Sequence, residues 1–434
     1  MLLFWFRRDL RLHDNTGLYH ALASGKRVLP LFIFDSDILD QLNDRSDARV
    51  TFIHDTVLEL HRQLEAQGST LLVKQGKPLQ VIRELLEAHE VEGIYANRDY
   101  EPYARERDAQ VQELLQEKGL TLQLYKDQVI FEQMEILTQS GTPYKVYTPY
   151  KNAWKKAFTP EMASSYSTEK HIDHLLQHAA TSVPSLQELG FESATIPVPE
   201  ANLAAKTLQQ YDSTRNLPAL DATSRLSPHL RFGTVSVRQA VQIALQHNDT
   251  WLQELIWREF FMQLLFHFPV SAQESFAPKF RRIAWRNNEA EFQQWCEGKT
   301  GFPLVDAGMR ELNATGFMHN RVRMVVASFL CKDLLIDWRW GEAYFAEKLL
   351  DYEQASNIGN WQWAAGTGAD AQPWFRIFNP ESQVKKFDKD YTYIRRWVPE
   401  YGTPAYPKPM VDHTAARNRA LEVYKQGIAL AESS

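Results

Sequence analysis

The stretch VLPLFIF, from Val28 to Phe34, consists entirely of apolar residues. A short continuous apolar run of this kind, rich in branched and aromatic residues, is typical of a strand buried on both faces of a sheet. Four further runs are predicted to be strands: Leu2–Phe6, Thr70–Lys74, Gly93–Ala96 and Leu120–Tyr125. Amphipathic patterns between them are predicted to be helices: Arg49–Gln67, Pro78–His89 and Ala104–Lys118. This alternation predicts an α/β domain with a mostly parallel, Rossmann-like sheet.

The predicted sheet carries no glycine-rich phosphate-binding motif. Neither a G-x-G-x-x-G pattern nor a Walker-type loop occurs in it, so no dinucleotide or nucleoside triphosphate site is indicated. An open α/β sheet still offers a crevice at the carboxyl ends of its strands. The pattern leaves open whether this domain binds a ligand or is purely structural.

The remaining sequence divides into a connector and a helical region. Residues 159–200 are rich in Ser, Pro, Glu and His and lack periodicity, which is typical of a long surface connector. Helices are predicted after Ala201 at Trp251–Phe266, Pro303–Ala314, Arg321–Leu335 and Gly341–Leu350. We therefore predict an α/β domain over residues 1–130, an interdomain connector over 131–200 and an all-α domain over 201–434.

Charge is distributed unevenly along the 434 residues. The net charge of −6 argues against a nucleic-acid partner when it is taken alone. Residues 1–200 carry 21 Lys and Arg against 29 Asp and Glu (21 − 29 = −8), whereas residues 201–434 carry 27 against 25 (27 − 25 = +2). Ten of the 12 tryptophans also follow residue 200. The second half is therefore the better candidate for a polyanion or an aromatic ligand.

Several classes of protein are disfavoured by the sequence. No apolar run approaches the ~20 residues of a membrane helix, and Arg7 and Arg8 follow the apolar start, the reverse of the charge order in a signal peptide. Cys296 and Cys331 form neither a disulfide framework nor a metal-site spacing. We expect a monomer in a reducing compartment, the cytoplasm, without a membrane partner or a bound metal.

Two clusters in the second half contain polar groups beside a predicted helix. The run Thr223–Pro228 (TSRLSP) places hydroxyls and a guanidinium where a helix begins, which suits a phosphate, although an ordinary helix cap is the alternative. Glu254, Trp257 and Phe261 share one face of a helix. An acid beside an indole suits recognition of a planar base, and a core aromatic stripe is the alternative.

Two further clusters combine polar groups with buried segments. In GFMHNRVRM (316–324), Asn320, Arg321 and Arg323 begin a helix whose remainder is apolar, which indicates a buried cofactor or a nucleic-acid phosphate nearby. In DYEQASNIGNWQW (351–363), Gly359 allows close backbone approach. The four indoles of the region exceed what packing requires: Trp338, Trp340, Trp361 and Trp363.

Together these motifs resemble those of the photolyase/cryptochrome family, in particular the class I cyclobutane pyrimidine dimer (CPD) DNA photolyases. The similarity runs from FWFRRDLRLHDNTGL near the N-terminus to FNPESQVKKFD near the C-terminus, and TGFPLVDAGMREL and NRVRMVVASFLCKDLLIDWR carry it. It implies an antenna α/β domain, an all-α FAD-binding domain and a lyase that repairs the dimers with light. Repair by such enzymes is an electron transfer from excited, reduced FAD to a flipped-out dimer.

The resemblance also implies a set of cofactor contacts. The expected FAD-binding residues are Tyr211, Thr223, Ser224, Arg225, Leu226, Ser227, Arg323, Asp351, Tyr352, Glu353 and Asn357. Among them, Arg323 is expected to pair with Asp351, and Asn357 to lie opposite flavin N5. Glu353 departs from the usual Asp and Trp374 from the usual Tyr, and we expect FAD binding to be retained.

The resemblance implies a lesion site beside the flavin. Trp257 and Trp363 are expected to stack on the flipped dimer, and Glu254 to hydrogen-bond a base carbonyl, so that these three and Asn357 are the expected catalytic residues. Further DNA contacts are expected at Arg215, Phe261, Asn320, Arg321, Met324 and Gln383. The expected electron-transfer chain to the surface is Trp361, Trp338 and Trp285, each of which core packing could also explain.

The second chromophore is less clearly indicated. Residues 100–105 (YEPYAR) are more similar to the pattern of deazaflavin-binding members than to that of folate-binding ones, with methenyltetrahydrofolate or an empty site as alternatives. The alternative function is a cryptochrome-type signalling flavoprotein without repair, disfavoured by Asn357 and the short C-terminal segment. A flavoprotein that merely binds nucleic acid also stays open.

Overall fold

Five parallel strands form one sheet in the computed structural model, which describes residues 1–433. The strand order is β3-β2-β1-β4-β5, with β1 Leu2–Phe6, β2 Val28–Asp35, β3 Leu72–Gly76, β4 Gly93–Asn97 and β5 Leu122–Tyr125. The accompanying helices are α1 Thr16–Ala23, α2 Ser36–Leu39, α3 Ala48–Glu65, α4 Pro78–Ala88 and α5 Pro102–Glu117. Each predicted strand is present with its ends within two residues of the prediction. The predicted α/β fold is confirmed.

The carboxyl end of β1 meets that of β4 where the strand order reverses, the place at which open α/β sheets form a crevice. The side-chain amide of Asn97 donates to Asp9 Oδ2 at 2.6 Å and to Asn15 Oδ1 at 2.7 Å. Gly17 donates its backbone N–H to Asn97 Oδ1 at 2.8 Å, and a Cβ at this glycine would lie only 2.9 Å from that oxygen. A buried polar network therefore fixes α1 against the sheet.

The chain divides into two units whose boundaries differ from the predicted ones. The α/β unit comprises Met1–Glu135, Lys155–Ala201 and Arg225–Gln246, and the helical unit comprises Ile136–Trp154, Asn202–Ser224 and His247–Ser434. Most of the predicted connector thus belongs to the α/β unit. So does the segment that contains the helices α9 Ser227–Phe232 and α10 Val237–His247, apart from the last residue of α10.

A buried ionic network explains why this late segment joins the α/β unit. Arg238 is 4% exposed, and its guanidinium donates to Asp14 Oδ1 at 2.9 Å and to Asp127 Oδ1 at 2.8 Å. Asp14 and Asp127 are also buried, and buried charges require partners of this kind. Phe232 packs into the core beside the sheet. The helical pattern of these residues could not identify those partners.

The helical unit is formed by helices, with a large apolar core and a smaller apolar cluster that includes Phe280 and Tyr424. Numbered along the chain, they are α6 Tyr147–Ala157, α7 Ala205–Gln209, α8 Tyr211–Thr214, α11 Asp249–His267, α12 Glu289–Cys296, α13 Pro303–Thr315, α14 Asn320–Ser328, α15 Trp338–Lys348, α16 Gln354–Ala365, α17 Pro380–Phe387, α18 Thr392–Trp397 and α19 His413–Glu432. The last residues of α6 belong to the α/β unit. The predicted all-α character is confirmed, and no helix within residues 1–433 is long and apolar enough to cross a membrane.

One predicted helix has a different form. The pattern over Arg321–Leu335 predicts a single helix, but α14 ends at Ser328 and a π-helical turn follows at Phe329–Asp333. Lys332 and Asp333 in this turn are fully buried. The Lys332 ammonium donates to the carbonyl oxygens of Ala365 at 2.7 Å and Trp374 at 2.9 Å. The wider turn therefore accommodates two polar side chains that a regular apolar helix would not contain.

Candidate functional site

Helix α11 presents the predicted acid and aromatic residues on one face. It begins after Asn248, whose side chain accepts a hydrogen bond from the backbone N–H of Trp251 at 3.0 Å. The rings of Trp257 and Phe261, one turn apart, have centroids 5.4 Å apart and planes inclined by 28°. Glu254 precedes Trp257 by three residues, so the three side chains follow one side of the helix.

Glu254 lies in a cluster with two other predicted residues. Its carboxylate oxygen is 2.6 Å from Nη1 of Arg215. Burial raises the pKa of Glu254 above its ordinary value, and Arg215 opposes that effect. The Arg215 guanidinium also lies over the ring of Tyr211 with 5.2 Å to its centroid. The structure therefore brings three predicted residues together. Tyr211 is the expected flavin contact, Arg215 the expected DNA contact and Glu254 the expected catalytic acid.

Tyr147 contacts Trp257 although the sequence indicated no role for it. The two rings stack with centroids 3.6 Å apart and an interplanar angle of 8°. The Tyr147 hydroxyl donates to the backbone carbonyl of Gln253 at 2.9 Å. No local pattern joins residues so far apart in sequence, and the only signal was the aromatic segment VYTPY (146–150).

Three of the predicted DNA contacts lie in the first turns of α14: Asn320, Arg321 and Met324. His319 precedes the helix, and its Nδ1 accepts from the backbone N–H of Arg321 at 3.1 Å. The Arg321 guanidinium donates to Asn216 Oδ1 at 2.7 Å and contacts Met324 Sδ at 3.6 Å. It also lies over the ring of Phe387 in α17 at 4.5 Å.

Arg321 and its neighbours adjoin the Glu254 cluster. Burial lowers the pKa of Arg321, and the nearby positive charge of Arg215 lowers it further. Asn320, at the first position of α14, is exposed, and Gln383 is half-buried on α17. Arg215, Arg321 and Met324 are thus brought together.

The predicted pair of Arg323 and Asp351 is present. Arg323 donates from Nη1 and Nη2 to the two carboxylate oxygens of Asp351 at 3.2 and 3.0 Å. Arg323 Nε also donates to the carbonyl of Met318 at 2.7 Å, so the guanidinium is held from two sides. A bidentate pair of this geometry fixes the plane of both groups.

Glu353 has two partners that the sequence did not identify. It is 5% exposed, and its carboxylate accepts from Arg258 Nη2 at 3.1 Å and from the Ser356 hydroxyl at 2.9 Å. Arg258 directly follows Trp257 on α11, so the signal was a cation beside a predicted site residue. Tyr352 is half-buried and packs against the helical core.

Asn357 is oriented by a carboxyl group that the sequence also missed. The Asn357 amide nitrogen donates to the backbone carbonyl of Glu342 at 3.0 Å and to Glu342 Oε1 at 2.9 Å. Burial raises the pKa of Glu342, and the bond from Asn357 opposes the rise. Because both acceptors lie at the amide nitrogen, the amide oxygen is the end that can serve a ligand.

The three predicted electron-transfer indoles belong to the aromatic core. Trp361 and Trp338 are 2% and 1% exposed, whereas Trp285 is half-buried and packs edge-on against Tyr424 at 5.7 Å. Trp361 also contacts Phe345, with ring centroids 5.0 Å apart. Trp363, the second predicted stacking residue, is half-buried at the edge of the same core.

The predicted phosphate run crosses the boundary between the two units. Thr223 and Ser224 belong to the helical unit, whereas Arg225, Leu226 and Ser227 belong to the α/β unit. The residue preceding α9 is Leu226, and no side chain caps this helix. The alternative interpretation as an ordinary side-chain cap therefore does not hold. Flavin binding by this run stays a prediction.

The predicted antenna segment lies at the carboxyl end of the sheet. The Tyr103 hydroxyl donates to Asp35 Oδ2, at the end of β2, at 2.7 Å. Glu101 pairs with Arg8 at 3.2 Å and with Arg231 at 3.0 Å. These contacts within the α/β unit hold the start of α5, and the identity of a second chromophore stays a prediction.

Comparison with known families finds two matching models. Residues 2–167 match the family described as DNA photolyase, and residues 251–404 match the FAD binding domain of DNA photolyase. A protein from Synechococcus named deoxyribodipyrimidine photo-lyase is 39% identical over 98% of this chain and 96% of its own length. The protein of the same name from Escherichia coli is 37% identical, over 98% of each chain.

Solved structures show the same similarity over the whole chain. A class III photolyase from Agrobacterium tumefaciens has a TM-score of 0.88 and 34% identity, covering 100% of this chain and 98% of its own. An archaeal photolyase from Sulfolobus tokodaii with two FAD molecules has a TM-score of 0.84 and 34% identity over 98% of this chain and 99% of its own. A Synechocystis cryptochrome gives the same TM-score and coverages at 27% identity.

Proposed function

The chain belongs to the DNA photolyase family, and from that premise we propose that it repairs cyclobutane pyrimidine dimers in DNA with light. The observation that carries the proposal is the shared face of α11, where Trp257 offers a stacking surface beside Glu254, an acid with a raised pKa. A flat apolar wall beside a hydrogen-bonding acid suits a pyrimidine pair removed from the base stack.

The residues of the helical unit suit FAD. The guanidinium groups of Arg323 and Arg258 and the carboxylates of Asp351 and Glu353 are held by mutual ion pairs. Cations suit a diphosphate, and carboxylates and amides suit the donor and acceptor edges of the flavin and adenine rings. We assign Tyr211, Thr223 and Ser224 to the diphosphate side.

FAD, when bound, supplies the absorption of light and the electron that opens the dimer. The protein's own task is to orient the partners. Asn357 would present its amide oxygen to flavin N5, since Glu342 occupies the amide nitrogen. An amide has no acidic proton to give, so this position holds the reduced flavin without protonating it.

At the lesion, the protein supplies stacking surfaces and one hydrogen-bond donor. Trp257 and Trp363 stack against the two bases, and Glu254 in its protonated form donates to a base carbonyl. That hydrogen bond stabilises the negative charge that develops on the base as the electron arrives. Asn320, Met324 and Phe261 complete the apolar and polar lining. Opening the bonds between the bases and returning the electron leave no net redox change.

DNA affinity is assigned to local positive charge. The net charge of −6 excludes attraction by the protein as a whole, so Arg215, Arg321 and the neighbouring Gln383 are assigned to phosphates that flank the lesion. Binding should then weaken with salt by about 0.9 in log affinity per log salt for each phosphate contacted.

The indoles of Trp361, Trp338 and Trp285 are assigned to a path that carries electrons from the surface to an oxidised flavin. The half-burial of Trp285 at one end and the burial of Trp361 at the other support this order.

For the second chromophore we keep deazaflavin or methenyltetrahydrofolate. We further propose that the protein is a class I photolyase and that it is a monomer in the cytoplasm.

The decisive experiment is photorepair. Purified protein with photoreduced FAD is mixed with an oligonucleotide that contains one thymine dimer, and the mixture is divided between blue light and darkness. Recovery of thymine absorbance in the light alone is the expected result. If lesion binding occurs without recovery, the chain is a flavoprotein that merely binds nucleic acid, and if neither occurs although reduced FAD is bound, the signalling function of a cryptochrome replaces repair.

A further inference from the structure

Tyr147 covers one face of the indole that is assigned to the lesion. The two rings are almost parallel, with centroids 3.6 Å apart and planes inclined by 8°. Phe260 meets both rings edge-on, at 5.8 Å from Tyr147 and 5.7 Å from Trp257. A ligand can therefore stack only on the opposite face of the Trp257 indole, whose ring centroid also lies 5.4 Å from that of Phe261.

Tyr147 is itself firmly held. It is 5% exposed, and its backbone N–H donates to Asp370 Oδ2 at 3.0 Å. Its hydroxyl donates to the carbonyl of Gln253, one turn before Trp257 on α11, at 2.9 Å. Moving the ring aside would break the hydrogen bond of the hydroxyl and expose a buried aromatic surface. Tyr147 is consequently a fixed part of the wall, not a gate that opens for the base.

The covered face determines which side of Trp257 is available beside the acid. Trp257 is half-buried, and the 3.6 Å stack leaves no room for a base between its ring and that of Tyr147. Glu254 lies close enough to Tyr147 that its charge contributes to raising the pKa of the phenol, after burial. The stack and the acid therefore belong to one cluster, formed by Tyr147 of α6 and by Trp257 and Glu254 of α11.

We propose that Tyr147 is a positioning residue for dimer recognition, which fixes the plane of Trp257 so that its single open face receives a pyrimidine next to Glu254. The proposal rests on the proposed function, because it takes Trp257 as a lesion contact. An indole that is already ordered loses less side-chain entropy when a base stacks on it. Aromatic pairs with a good mutual orientation also add stability beyond the area that they bury.

Two variants separate the ring from the hydroxyl. Tyr147→Leu keeps an apolar side chain but removes the stack, whereas Tyr147→Phe keeps the stack and removes the bond to Gln253. Tyr401→Leu is the matched control, since Tyr401 stacks on Tyr391 at 5.4 Å elsewhere in the helical unit. Each FAD-loaded protein is titrated in the dark with dimer-containing and undamaged oligonucleotides by fluorescence anisotropy.

Tyr147→Leu is expected to weaken dimer binding about ten-fold, or about 1.4 kcal/mol, with unchanged affinity for undamaged DNA. Tyr147→Phe and Tyr401→Leu should stay within about two-fold of the parent. The near-ultraviolet circular dichroism of the stacked pair should be lost in Tyr147→Leu and kept in Tyr147→Phe, which tests the stack without DNA. If Tyr147→Leu loses FAD or folds poorly, Tyr147→Met takes its place.

Three outcomes would overturn the inference. Unchanged dimer affinity in Tyr147→Leu would show that the stack does not order Trp257 for binding. Tighter binding would show that Tyr147 occupies the face that the base uses. An equal loss in Tyr147→Phe would assign the effect to the hydroxyl. Failure of the proposed function is distinguishable, because then the parent protein itself would not discriminate dimer-containing from undamaged DNA.

Discussion

The protonation state of Glu254 should control lesion recognition. A pyrimidine ring offers a carbonyl acceptor and an N–H donor, and only a protonated carboxyl group can donate to the carbonyl. Burial raises the pKa of Glu254, so the protonated form persists to a higher pH than for an exposed glutamate. As the pH rises through that raised pKa, the donor is lost, and discrimination for the dimer should fall.

The size of the effect follows from the contacts of Glu254. A hydrogen bond between neutral groups contributes about 0.5–1.5 kcal/mol, which corresponds to roughly two- to twelve-fold in affinity. The Arg215–Glu254 pair must open or rearrange first. Its side chains are 26% and 32% exposed, and pairs with this access to water contribute only about 0.2–1 kcal/mol. At the middle of these ranges, a cost of opening of about 0.6 kcal/mol is smaller than a gain of about 1 kcal/mol.

The assay is a dark titration of the FAD-loaded protein with dimer-containing and undamaged oligonucleotides at a series of pH values. The parent protein should lose up to about ten-fold in its affinity ratio as the pH increases. Glu254→Gln keeps an N–H donor at every pH and should give a flat profile, and Glu254→Ala should be flat and low. A Glu254→Gln profile that falls in parallel with the parent would refute the reasoning, because another group would then be titrating.

Three other substitutions test the framework around the site. Arg238→Met should destabilise the α/β unit by about 3–5 kcal/mol in denaturant unfolding, because it leaves the buried carboxylate of Asp14 without its cation, whereas Asp127 keeps Arg11. Arg323→Leu should lower the FAD content of the purified protein, whereas Arg310→Leu, which removes an ion-paired arginine of similar exposure (23% against 24%), should not. His413 has a pKa raised by Asp333, so its stabilisation is complete below the ordinary value of 6.5 and is lost as the pH rises through the raised pKa. His413→Asn should therefore flatten the dependence of the melting temperature on pH above about 6.5.

Local patterns predicted what a single helix or strand determines. The apolar runs gave the five strands because strands buried on both faces need continuous apolar sequence. Glu254 and Trp257 were grouped correctly because residues three apart on a helix must share a face. The π-helical turn at Phe329–Asp333 was not predicted. A lysine is normally expected at the surface, but Lys332 is buried because two backbone carbonyl groups accept hydrogen bonds from its ammonium group.

Partners distant in sequence were mostly beyond local reasoning. The pair of Arg323 and Asp351 was anticipated only through the family resemblance, and it is present. Tyr147, Glu342 and Arg258 were missed, although each contacts a predicted site residue. Their contacts depend on how helices pack, which one sequence does not specify. The bounds of the two units differ from the predicted domain bounds for the same reason.

The departure at Glu353 is explained by the partners that hold it. Its carboxylate forms an ion pair with Arg258 and accepts a hydrogen bond from the hydroxyl of Ser356, which is in the first turn of α16. These contacts fix the end of the longer side chain, so the extra methylene group is accommodated within the protein and does not leave a mobile charge at the proposed flavin site. Removing either partner should therefore affect FAD retention more than shortening Glu353 to Asp. Equal losses of FAD in Glu353→Asp and Arg258→Leu would show instead that the length of this side chain is what the cofactor requires.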